Sequence, residues 1–188
     1  MNQDWEYLQA AVEELVDYLH SQVVHWRLSP KNASKAHTQF PGLTVGNICL
    51  ARARLSAQRD FSEMAAFQQV CGQMDEIRKT WRVNWAKKAE REFGERLRLW
   101  KVYVSEELAY EYSANEYRSQ IRLRTILEML KNEVLQTKVE EIALLEALDD
   151  QVLSLTLPGG FVWDKESQPS FPEEKFWFLH RKPLATKG

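Results

Sequence analysis

Proline and glycine are scarce in this sequence, six and seven among 188 residues, and long stretches hold neither. A turn-rich β fold needs more of both, so their shortage favours helices. No apolar run approaches the roughly 18 residues of a membrane-spanning helix, and the N-terminus lacks the basic and apolar regions of a secretory signal. Cys49 and Cys71 are too few for a disulfide framework or a thiolate metal site, and read as reduced, half-buried thiols on helices. These absences point to a cytoplasmic protein with no membrane partner.

The signatures of catalysis are missing too. There is no Gly-x-Ser-x-Gly, neither cysteine has a histidine beside it, and the glycines form no phosphate or dinucleotide loop. The histidines are His20, His25, His37 and His180. His20 and His25, five apart, would point about 140° away from each other on one helix. A di-metal site in a bundle wants Glu-x-x-His on two helices, and the motif does not occur. No catalytic, cofactor-binding or metal-ligating residue is assigned, no cofactor is expected, and enzyme activity is not the reading favoured.

What is present is a core and an uneven distribution of charge. At 44% hydrophobic and 28% charged, the chain can fold as one domain over residues 1–188. Its net charge is −2, yet Arg78–Lys101 holds nine Lys or Arg against three Glu, with Trp81, Trp85 and Trp100 among them. The compensating acids lie in Met1–His20, which has five and no Lys or Arg, and in Glu133–Asp150, where Lys138 is the only base. An acidic first helix lying against the basic one would neutralise much of it internally.

Periodicity predicts an amphipathic helix over Asp4–Trp26, with Trp5, Leu8, Val12, Leu15, Leu19, Val23 and Trp26 on one stripe. A long loop spans residues 29–46. Asn47 is expected to cap a short helix through Arg59, and Asp60-Phe-Ser-Glu63 reads as a capping box. From Met64 the apolar positions keep to one face through Ala89, then shift past Gly94, which predicts a kink or break there. Ser113–Glu116, with Tyr112 and Tyr117 as a hydrophobic staple, and Thr137–Glu140 read as further capping boxes. Pro158-Gly-Gly160 stops the last helix. Beyond it, Phe161, Trp163, Phe171, Phe176, Trp177 and Phe178 are spread among prolines. Rings of that size each bury about 150–250 Å² and belong in a groove.

The predicted fold is therefore all-α: an antiparallel helical bundle of about five or six helices over 1–157, with an extended aromatic segment, 158–188, packed across it. The candidate interaction surface is Arg78, Lys79, Arg82, Lys87, Lys88 and Arg91. On a helical wheel these charges surround the helix, and Lys88–Glu92, Arg91–Glu95 and Glu92–Arg96 are spaced as i,i+4 pairs. Trp81 and Trp85 fall on the core stripe. The function expected is a protein-interaction or scaffold role with self-association, such as a homodimer. The alternatives are a nucleic-acid-binding accessory protein using residues 78–101, and a small-molecule pocket between the long loop and the aromatic segment.

Overall fold

A computed structural model describes residues 2–29, 40–108, 114–136 and 138–184. The protein is an all-α helical bundle with an aromatic C-terminal segment. Among the described residues its helices are α1 (Gln3–His20), α2 (Val45–Ser56), the single turn α3 (Arg59–Ser62), α4 (Ala65–Thr80), α5 (Arg82–Val102), α6 (Ala114–Leu130) and α7 (Val139–Leu155). None is long and apolar enough to cross a membrane. The expected capping boxes at Ser113 and Thr137, with the Tyr112 half of the staple, lie outside the described residues, as does most of the long loop. The ends of that loop are joined by a two-way backbone pair between Trp26 and Leu43.

Several helix ends differ from expectation. α1 stops at His20, six residues before Trp26, because side chains of α5 take up the carbonyls of Leu19, Ser21, Gln22 and Val23. The α2 cap is Thr44, not Asn47: Thr44 Oγ1 accepts from the Asn47 amide at 3.1 Å. The Asp60–Glu63 box does not form. Glu63 instead pairs with Arg59 at 2.8 Å around the single turn of α3, and α4 starts after Met64 without a side-chain cap.

The long central helix breaks at Trp81, whose ψ of 35° departs from the helical value and whose ring meets His20 edge-on at 4.2 Å. It does not break at Gly94, which sits inside α5 where α7 comes close: a Cβ there would lie 3.3 Å from Glu141 Oε1. The apparent shift of the apolar stripe has another cause. α5 packs against α1, α2, α4, α6 and α7. Its buried face is wide enough to hold both apolar sets together with Lys88, Glu92 and Arg96. A π-helical turn over Tyr103–Glu107 then keeps Tyr103, Val104 and Leu108 buried beyond Trp100.

The aromatic segment lies against α2 and α6. Phe171 and Phe178 are fully buried, Phe171 stacks edge-on with Phe176 at 5.2 Å and with Trp163 at 5.4 Å, and the Tyr117 hydroxyl donates to the Phe178 carbonyl at 2.7 Å. Arg124, held bidentately by Asp149 of α7 at 2.7 and 2.8 Å, lies 4.5 Å over the Phe178 ring. The chain is clamped by a small antiparallel ribbon, β1 (Thr156–Pro158) with β2 (Arg181–Pro183), which the sequence reading did not include.

Candidate interaction surface

Four residues of the basic segment, Arg78, Lys88, Arg91 and Arg96, are bonded within the fold. Lys88, at 4% exposure, is not a surface residue: its ammonium donates to the Ser21 carbonyl and hydroxyl and to the Val23 carbonyl, over the Tyr18 ring. Burial, and secondarily Arg91, lowers its pKa from the ordinary 10.5. Arg91 is exposed but donates to the Gln22 carbonyl at 2.8 Å. With the Asn84 amide on the Leu19 carbonyl at 3.2 Å, these groups satisfy the C-terminus of α1, where a helix carries partial negative charge and unpaired carbonyls. The first helix thus meets the basic one through its carbonyls. Of its acids, Glu14 accepts from Trp26 Nε1 at 2.6 Å and from the Ser29 amide at 2.9 Å. Arg78 is bound to Glu133 at 2.8 Å, and the same carboxylate accepts from Trp85 Nε1.

Beside Lys88 on α5 lies a buried charge network. Glu92, with no exposed surface, accepts from Thr44 Oγ1 at 2.7 Å, from the Gly46 amide at 2.8 Å and from Arg96 Nε at 2.7 Å. It therefore places an anion at the N-terminus of α2, where amides point outward. Gly46 permits this approach: a Cβ there would collide with Ile126 and lie 2.7 Å from Glu92 Oε1. Of the three expected i,i+4 pairs, Glu92–Arg96 forms, and forms buried. Lys88 turns to α1, and Glu95 reaches His25 at 3.2 Å.

With Lys88, Glu92 and Arg96 inside and Arg78 paired, the remaining charges look different. Lys87, Arg91, Arg98 and Lys101 are exposed within about 80° of arc on the solvent side of α5, a row about 21 Å long. No carboxylate among the described residues pairs with any of the four. Lys79 and Arg82 are exposed at its α4 end. Sequence reasoning did not single out Arg98 and Lys101, because the row is visible only once the buried charges are removed from the wheel. Exposed Val83, Leu99 and Val102 border it.

No family model, curated protein or solved structure matches this chain. The surface must therefore be read on its chemistry. Across a cleft from the row, lined by Arg91, Arg98, Lys138 and Glu141 among others, α7 turns the opposite charge outward: Glu140, Glu146 and Asp150 are exposed, beside exposed Val139 and Leu153. Burial pushes the thiols of Cys49 and Cys71 above their ordinary value, which disfavours the thiolate. Among the described residues no three His, Cys, Asp or Glu side chains are placed to hold a metal.

Proposed function

We propose that this protein is a self-associating helical scaffold, in which the basic row of α5 docks on the acidic outer face of α7 in a second copy. The observation that carries the reading is the complementarity of two neighbouring faces, one with four exposed cations that have no carboxylate partner among the described residues and one with three exposed acids, each bordered by exposed aliphatic side chains. A two-fold axis between copies would use both faces twice, since an isologous interface brings each patch to its complement on the partner. Electrostatic complementarity of this kind fixes register and speeds encounter, and the aliphatic borders supply area to bury.

Sedimentation or light scattering across protein concentration and salt tests it. A dimer that weakens with added salt and is lost in Arg98→Glu/Lys101→Glu supports the reading. The complementary variant Glu146→Lys/Asp150→Lys should likewise fail alone, and mixing the two variants should restore a heterodimer. A monomer at every concentration, or a dimer indifferent to both variants, overturns it.

The same row, lacking carboxylate partners, gives the nucleic-acid reading its footing. Four phosphate contacts would make log affinity fall against log salt with a slope near −3.6, at about −0.9 per contact. A gel shift with duplex DNA showing that dependence, or with single-stranded DNA at about −0.7 per contact, lost in Arg98→Glu/Lys101→Glu, would move the function to that class. The row has no exposed aromatic ring on which bases could stack, which is why self-association is preferred.

A further inference from the structure

Away from α5, three arginines from two helices converge on a cleft of about 840 Å³ between α1, α2, α6 and the aromatic segment. Arg54 comes from α2, and Arg118 and Arg122 stand one turn apart on α6. Their neutralisation is incomplete. Arg122 donates through Nη2 to Asn47 Oδ1 at 2.8 Å, a neutral oxygen that also serves Arg96 at 3.2 Å, while the buried Nε–H of Arg122 has no acceptor. Arg54 has its guanidinium 4.6 Å over the Trp163 ring, with Asp4 at 3.9 Å and Asp164 acting from farther away. Arg118 holds Asp164 at 3.0 Å, but that pair is at the rim, where Asp164 is 87% exposed and free to be displaced.

Arg122 is half-buried, and the one oxygen it holds is neutral and shared with Arg96, which leaves it short of negative charge. Burial first, and then Arg96 and Arg54, lowers the Arg122 pKa below the ordinary arginine value. Burial lowers that of Arg54 too. An incoming oxyanion would relieve this shortage, since guanidinium groups recognise carboxylate and phosphate through paired N–H donors. The cleft is also of the size that takes a small organic molecule, larger than one phosphate requires.

We propose that this cleft binds the phosphate or carboxylate head of a small organic anion, held between Arg54, Arg118 and Arg122. The site is separate from the α5 row and does not depend on self-association.

The experiment is titration of the full chain with inorganic phosphate, AMP and citrate, followed by calorimetry and by the arginine Nε–H resonances. A saturable shift of the Arg122 resonance is expected with at least one of the three. Response to phosphate and AMP but not citrate assigns a phosphate head, and the reverse assigns a carboxylate. Arg118→Ala, which removes only a rim pair from the fold, should weaken binding at least tenfold. Asp164→Asn, which removes the competing carboxylate, should strengthen it several-fold. Arg98→Glu/Lys101→Glu should leave it unchanged. No saturable response to any of the three at millimolar concentration, equal affinity in Arg118→Ala, or loss of binding in the α5 variant overturns the proposal.

Discussion

Replacing Glu92 by Gln keeps the shape of the side chain and removes its charge, and the consequence can be worked out contact by contact. The carboxylate receives Thr44 Oγ1, the Gly46 amide and Arg96 Nε within 2.8 Å, and has no exposed surface. An amide can offer one oxygen to these three donors, and its NH2 would face at least one of them. The Arg96 guanidinium, only 10% exposed, would lose its sole anionic partner among the described residues. Removing one member of a buried ion pair costs about 3–5 kcal/mol, chiefly by stranding the other charge. That is a large fraction of the roughly 5–15 kcal/mol that holds a domain folded. For a chain of this size each kcal/mol moves Tm by about 2–4 °C, so Glu92→Gln should lower Tm by about 6–20 °C. Urea unfolding should show the same loss as a shifted midpoint with an unchanged m-value. Adding Arg96→Leu to Glu92→Gln should cost at least about 1 kcal/mol less than the two single losses summed, because the stranded charge is then gone. A Tm change under about 2 °C for Glu92→Gln, or strict additivity in the cycle, would refute the network as described.

Two glycines should respond in opposite directions to alanine. Gly46→Ala drives a methyl into Ile126 and the Glu92 carboxylate and should cost about 1–3 kcal/mol as overpacking. Gly72→Ala, in the interior of α4 with nothing within 4 Å, should instead stabilise by about 0.5–1 kcal/mol; thermal melts of the pair distinguish them. Acid sensitivity is the other expectation. The hydrogen bond from Arg52 holds the Asp75 carboxyl below its ordinary 3.8. At Glu128 burial alone would raise the pKa, but Lys131 and Arg124 outweigh it and hold it below 4.5. Folded values depressed below unfolded ones give stability that is present above 4.5 and 3.8 and lost as pH falls through the folded pKa values. Asp75→Asn with Glu128→Gln should therefore flatten the acid limb of a stability–pH curve, and an unchanged slope would count against both pairs.

The apolar part of the fold was legible because burial repeats at helical spacing. Leu8, Leu15 and Leu19 of α1, Trp85 and Phe93 of α5, and Leu145, Leu148 and Val152 of α7 all lie inside. The charged part was not legible. An i,i+4 pair has the same spacing on a solvated face as in a core, so nothing local marks Glu92–Arg96 as buried or Lys88 as the cap of another helix. Both depend on partners in α1 and α2, some 46–67 residues away in sequence. The break at Trp81 likewise rests on a contact with His20, with no proline or glycine beside it to announce it. The ribbon escaped because three-residue strands containing proline show no alternation. The arginine cleft escaped because its walls come from separate elements. Arg118 and Arg122 could be seen to share a face, but their approach to Arg54 could not.

That ribbon also has a consequence for edge-to-edge pairing. β1 and β2 each end in a proline, Pro158 and Pro183, and a strand containing proline offers an incomplete row of donors to a newcomer. Leu157 and Leu184 are exposed beside it and would otherwise make an inviting margin. With two strands of three residues and a missing donor in each, the sheet is a poor template for strand-by-strand growth. Under the proposed self-association, copies would meet through helices and their ribbons would not seed a fibre.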